Sequence, residues 1–156
     1  MATLTGWKPP LPLGGGRGGL RIIDYKTGNA QRNFSGIADL FDRTKNGNHA
    51  ALQTLVYAYM TRIAFPPPFG GGGWGEGLRI SSNLYIAKEL FKENFDPRIS
   101  ISRQSPIDNY FEVAAEFETE LNHLLTEMFL SDTPFTQTEN TKKCTNCPYA
   151  DICHRG

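Results

Sequence analysis

Leu20-Arg21-Ile22-Ile23-Asp24-Tyr25-Lys26-Thr27-Gly28 is the stretch on which the reading of this chain turns. It is rich in β-branched and aromatic residues and is stopped by Gly28-Asn29, the pattern of a buried strand bounded by a turn. Side chains alternate faces along a strand, so Asp24 and Lys26, two apart, point the same way. A carboxylate can hold a hard cation such as magnesium through oxygen. An ammonium beside it can orient or acidify an attacking water, or steady charge on a phosphoryl oxygen. The pairing suits phosphodiester hydrolysis; the competing reading is an ordinary ion pair on a surface strand.

Downstream, residues 29 to 48 are polar with isolated Phe34, Ile37, Leu40 and Phe41, which predicts a loop with at most a helical turn. Residues 49 to 65 then read as a helix, with Leu52, Val56, Tyr59 and Ile63 recurring at helical spacing as its buried stripe. Gln53 and Tyr57, four apart, share a face beside that stripe. An amide and a phenol there can hydrogen-bond a phosphate backbone or the neighbouring lysine, or the pair can be a helix boundary with a half-buried tyrosine. Pro66, Pro67 and Pro68 end the helix, and residues 66 to 77 read as a loop. A strand is expected around Leu84, Tyr85 and Ile86, and a short one at Ile99 and Ile101. Pro106 and Asp108 suit the start of a long amphipathic helix, with Phe111, Ala114, Phe117, Leu121, Leu124, Leu125 and Met128 inside and Glu112, Glu116, Glu118 and Glu120 largely outside.

The 156 residues suit one domain. Pro9, Pro10, Pro12 and the first glycine cluster make residues 1 to 19 an expected irregular lead-in. Residues 20 to 130 form the core and 131 to 156 a tail. Of 16 glycines, five fall in residues 14 to 19 and six in 70 to 77. Lys+Arg and Asp+Glu both number 16, so global basicity is excluded as a reason to bind a polyanion, and any such site is local. With no run of 18 apolar residues and no secretory-signal pattern, the expectation is a cytoplasmic chain with no membrane partner. Irregular lead-in, strand, helix, strands, helix and tail describe an α/β or α+β domain with helices packed on a sheet. Cys144, Cys147 and Cys153 are too few and too local for a disulfide framework, and point to a metal. Four ligands are normal for structural zinc or a cubane cluster, so three free thiols is the alternative.

The ordered set Asp24-Tyr25-Lys26-Thr27-Gly28, Gln53-x3-Tyr57, a long helix and Cys144-x2-Cys147-Pro148-Tyr149-x3-Cys153 resembles the RecB-like branch of the PD-(D/E)XK nuclease superfamily. It is most similar to the AddB-type and CRISPR-associated nucleases that carry iron-sulfur clusters. The resemblance implies a restriction-endonuclease-like mixed sheet flanked by helices, and metal-dependent, exonuclease-like hydrolysis of DNA, often at an end during repair or recombination. The substrate would be single- or double-stranded DNA ends, with a helicase or recombination subunit as partner. Asp24 would ligate Mg2+ or Mn2+, Lys26 would be the motif lysine, and Gln53 and Tyr57 would contact DNA and support the active site. Cys144, Cys147 and Cys153 would hold an iron-sulfur cluster, or alternatively zinc. The family places another metal-binding aspartate on the preceding strand and a fourth cysteine before the core, yet residues 1 to 23 contain no Asp, Glu, His or Cys. The expectation is a C-terminal piece of a longer nuclease, or one whose N-terminal strand is replaced by the lead-in, with little activity alone. The competing functions are a non-catalytic DNA-binding or scaffold module of the same fold and a zinc-binding interaction domain.

Overall fold

The structure, a computed structural model, describes residues 2–7, 19–44, 47–64, 79–102, 105–130, 132, 134 and 136–154. Its strand β2, Gly19–Lys26, is the predicted one, and it is the centre of a three-stranded sheet. One neighbour is β1, Ala2–Trp7, antiparallel, with Ala2 opposite Asp24 and Trp7 opposite Gly19. This corrects the expectation of an irregular lead-in over residues 1 to 19. The Thr-Leu-Thr alternation of residues 3 to 5 suits a strand, and the prolines that suggested otherwise begin only at Pro9. Residues 8–18, with most of the first glycine cluster, lie outside the described residues, as does the predicted loop at 66 to 77.

Between β2 and its parallel partner come three elements, two short and one long. They are β3 (Asn33–Phe34), α1 (Ile37–Phe41) and α2 (His49–Ala64). The helical turn expected between residues 29 and 48 is α1. Strand β4, Arg79–Ile86, then pairs with β2 in parallel, with Asp24 opposite Leu84 and Lys26 opposite Ile86. A parallel pair needs a crossover connection, and α2 supplies it by packing on β2 and β4. A second small sheet runs β3, β5 (Ser100–Ile101), β6 (Ser105–Pro106), parallel and then antiparallel. Together these make a mixed α/β fold of sheets flanked by helices, as expected of a restriction-endonuclease-like domain.

Even-numbered residues of the two long strands, Ile22, Asp24, Ile80, Ser82, Leu84 and Ile86, form the buried face under α2. The helix meets them through Ala51, Thr54, Leu55, Ala58 and Thr61. The predicted stripe was rotated: Leu52, Val56 and Tyr59 are only partly buried and Ile63 is 58% exposed. Alanine and threonine permit a close approach of helix to sheet. Each threonine hydroxyl is satisfied within the helix, Thr54 donating to the Ala50 carbonyl at 2.8 Å and Thr61 to that of Tyr57 at 2.7 Å. Burial then leaves no hydroxyl unpaired there.

The long helix does not start at Pro106. That residue pairs with Ser100 in β6, where a missing N–H is tolerated at a sheet edge, and Asp108 ion-pairs with Arg98 instead of capping a helix. Asn109 then caps a short 3-10 turn, Tyr110–Glu112, through a reciprocal bond with Glu112, and α3 follows as Ala114–Phe129. Phe117 is buried against Phe41 and Tyr110, at ring separations of 5.6 and 6.1 Å. Glu118, expected outside, accepts hydrogen bonds from the Tyr110 hydroxyl at 3.0 Å and from Arg62 of α2. Leu125, Met128 and Phe129 are exposed, at variance with an inner stripe running through Leu125 and Met128.

The chain divides into two compact units, 1–122 and 123–156, the division falling within α3. In the second, residues 141–154 form a chain of tight turns in which the Cys147 N–H donates to the Cys144 carbonyl at 3.1 Å and the Cys153 N–H to that of Tyr149 at 3.2 Å.

Candidate functional site

Asp24 and Lys26 lie at the end of β2, and the two-residue period puts both on the α2 side. Asp24 is 1% exposed, while the Lys26 side chain retains about 29% exposure. The lysine Nζ is 3.1 Å from Asp24 Oδ2 and donates to Gln53 Oε1 at 2.7 Å. Gln53 in turn donates through Nε2 to the Tyr57 hydroxyl at 2.6 Å. Asp24, Lys26, Gln53 and Tyr57 therefore form one continuous polar chain from the sheet to a half-buried flank of α2. The spacing of four between Gln53 and Tyr57 closes the last link, and the face they share flanks the Ala51/Leu55/Ala58 contact with the sheet.

The inner end of this chain is electrostatically incomplete. Asp24 Oδ2 is within ion-pair distance of the lysine but is not aligned for a hydrogen bond. Among the described residues, Asp24 Oδ2 and Ser82 Oγ are the buried side-chain atoms without a hydrogen-bond partner. Such atoms cost free energy unless something satisfies them. Ser82 is on the same face of the adjacent strand, paired in register with Ile22. The sequence does not single it out, because the strand Arg79–Ile86 mixes polar and apolar residues and only its burial under α2 sets Ser82 apart.

A divalent ion suits one part of this arrangement. Asp24 Oδ2 is a hard oxygen donor with spare acceptor capacity, as a magnesium or manganese ligand must be. The strand that pairs with β2 is present, but Ala2 stands opposite Asp24 and residues 1 to 23 contain no acid. Among the described residues no group of three His, Cys, Asp or Glu is arranged to hold a metal ion. Among the described residues the donor set thus supplies a single protein ligand, not a complete site. The same holds for Cys144, Cys147 and Cys153, three free and partly exposed thiols.

Elsewhere in the fold, ion pairs brace the loops. Arg98 is held between Asp96 and Asp108, and the fork of hydrogen bonds from Arg98 keeps the Asp96 carboxyl below its usual range. Burial pushes the Tyr110 phenol well above its ordinary value, and the nearby Glu118 carboxylate adds to the effect. No helix of the described residues is long and apolar enough to cross a membrane.

No curated protein and no solved structure matched the chain. The family model of the PD-(D/E)XK nuclease superfamily matches residues 14–154, nearly the whole sequence and all four members of the polar chain. The buried Asp-x-Lys strand, the crossover helix that anchors its lysine and this match agree, and the chain belongs to the PD-(D/E)XK nuclease superfamily, whose members are generally metal-dependent hydrolases of phosphodiester bonds in DNA.

Proposed function

We propose that this chain is a DNA nuclease domain in which Asp24 and Lys26 are the catalytic pair and Gln53 and Tyr57 position the lysine. The observation that carries the reading is the unbroken chain of contacts from buried Asp24 through Lys26 to Gln53 and Tyr57. Lys26, drawn toward Gln53 and partly open to solvent, presents a positive charge where a phosphoryl oxygen gains negative charge, or orients a water for attack. Gln53 fixes the ammonium by accepting a hydrogen bond from Nζ, and Tyr57 fixes the amide by accepting one from Nε2, so the carbonyl faces the lysine. A divalent ion would supply Lewis-acid activation of the phosphate, with Asp24 as its protein ligand. One carboxylate and waters hold magnesium weakly, so this chain by itself is expected to cleave slowly.

The test is digestion of linear single- and double-stranded DNA with Mg2+ or Mn2+, beside Mn2+ binding, for the wild type and Asp24→Asn. Weak cleavage and weak Mn2+ binding, both lost in the variant, support the reading. Robust Asp24-dependent cleavage overturns the expectation of low activity, and cleavage or Mn2+ binding that ignores Asp24 overturns the site.

The finer assignment, an iron-sulfur, RecB-like exonuclease of repair or recombination working with a helicase, is supported by Gln53-x3-Tyr57 and by the Cys-x2-Cys-Pro-Tyr-x3-Ile-Cys tail. Iron analysis and visible absorption test it, a colourless zinc protein being the contrary result. A second reading, a DNA-binding scaffold of the same fold, is favoured by Ala2 opposite Asp24. DNA affinity unaffected by magnesium and by loss of Asp24, without cleavage, would select it.

A further inference from the structure

The face of the sheet opposite α2 carries a second constellation that the catalytic chain does not use. Tyr25 points away from its neighbours Asp24 and Lys26, pairs in register with Tyr85, and packs against it with the rings tilted by 44° at a separation of 5.4 Å. Tyr85 meets Phe95 at 5.4 Å, making a row of three rings, and Tyr25 at its open end is 53% exposed. Two guanidinium groups lie over this row, Arg21 at 5.5 Å from the Tyr85 ring and Arg32 at 5.3 Å from that of Phe95. Arg21 donates to the Tyr85 hydroxyl and has no carboxylate partner among the described residues. Arg32 shares Glu89 with Lys92, and Lys88 is bonded to the neutral Asn29 side chain. The hydrogen bond from Lys92, followed by the charges of Arg32, Lys92 and Lys88, holds the Glu89 carboxyl below its usual range, so three cations surround that one acid. Arg98 is held by two acids, Asp96 and Asp108, and Asp96 also feels Arg32, so in this region Arg21, Arg32, Lys88, Lys92 and Arg98 stand against Glu89, Asp96 and Asp108. A chain with no net charge thus gathers a local excess of positive charge beside exposed aromatic surface.

Rings on which bases stack, with cations that meet the backbone, are the elements from which proteins hold unpaired nucleic acid. We propose that Tyr25, Tyr85 and Phe95, with Arg21, Arg32 and Lys88, form a stacking platform for single-stranded DNA on the sheet face opposite the catalytic chain. The platform rests on DNA being the substrate, as proposed above, and adds that an unpaired stretch is what it grips. Tyr25 couples the two faces, because it lies between Asp24 and Lys26 in the same strand. An acidic peptide would satisfy the cations but would leave the rings without π-stacking partners. A duplex would offer phosphates without free base faces.

The experiment is fluorescence anisotropy of a labelled oligo-dT, with EDTA present so that no ion and no cleavage intervene. It uses the full chain with Asp24→Asn as background, compared with that chain carrying Tyr25→Ala or Tyr25→Phe, and a duplex of equal length as control. Stacking a base on an aromatic ring supports an expected loss of about tenfold in affinity for Tyr25→Ala, and retention for Tyr25→Phe. Circular dichroism of each variant excludes loss of fold as the cause, since Tyr25 is exposed. Tyr25→Ala binding oligo-dT as tightly as its parent overturns the platform while leaving the nuclease reading intact. So does a duplex that binds as well as oligo-dT and loses as much. Tyr25-dependent binding in a chain that never cleaves DNA would sustain the platform and count against the nuclease reading alone.

Discussion

Removing either partner of the Asp24–Lys26 pair should give unequal effects on stability, because the two charges are unequally buried. At 3.1 Å their attraction at an effective dielectric constant of about 20 is about 5 kcal/mol, before any cost of desolvation is counted. Asp24 is 1% exposed and bears that cost almost in full, several kcal/mol for a buried ion, with Oδ2 left without a hydrogen bond. Lys26 keeps solvent at its head and a 2.7 Å bond to Gln53. Asp24→Asn therefore leaves a cation that is still solvated and still bonded, and removes the desolvated anion. Its melting temperature should equal that of the wild type or exceed it by about 3 °C, the equivalent of roughly 1 kcal/mol in a chain of this size. Lys26→Met does the reverse. It strands a buried carboxylate, which costs about 3 to 5 kcal/mol and lowers the melting temperature by roughly 10 °C. Differential scanning calorimetry near pH 7 in a metal-free buffer reads both. Equal losses for the two variants, or a larger loss for Asp24→Asn, would show that Asp24 is a well-satisfied structural anchor and refute the account of a carboxylate held in reserve for a ligand.

Gln53→Leu removes the acceptor of a charged donor and should cost about 1.5 to 3 kcal/mol by urea denaturation, whereas Tyr57→Phe, which deletes one outer bond, should cost about 1. Ala58→Leu forces bulk into the contact between α2 and the sheet, where Ala58 is fully buried, and should destabilise by at least the 1 to 3 kcal/mol typical of overpacking. Tyr110 supplies a pH test: its phenol is raised in the folded state, so its contribution is fully present below about pH 10, the ordinary tyrosine value, and is lost as pH climbs beyond it. Stability measured from pH 8 to 12 should fall more steeply for the wild type than for Tyr110→Phe, and parallel curves would contradict the assignment.

The polar chain from Asp24 to Tyr57 was legible in the sequence because most of its links are local. Asp24 and Lys26 share a face by the two-residue period of a strand, Gln53 and Tyr57 by the four-residue spacing of a helix, and these rules hold whatever the rest of the molecule does. Only the 2.7 Å bridge from Lys26 to Gln53 depends on tertiary packing, and the resemblance to a nuclease motif anticipated its partners. Ser82 carries no such local rule. Its significance is its burial without a partner, and that is decided by α2 closing over the sheet.

The misreadings have a common cause as well: each assigned a residue by its type where the structure assigned it by its partner. Pro106 favours a helix start in isolation, yet Ser100 and the Ile99 carbonyl, which accepts from the Ile107 N–H at 2.9 Å, draw that segment into a strand. Leu52 and Ile63 are more apolar than Ala51 and Ala58, but a sheet that already presents Ile22, Ile80 and Leu84 leaves space for small residues at the contact, so the helix turns its alanines inward. Residues 2–7 follow the same logic with the greatest consequence. A central strand bearing a buried carboxylate has two edges to satisfy; β4 takes one, and the stretch with the Thr-Leu-Thr pattern takes the other. The pairing demands only backbone groups, so the strand can form with Ala2 opposite Asp24. The backbone pairing that completes the sheet is therefore independent of the chemistry carried by Asp24 and Lys26.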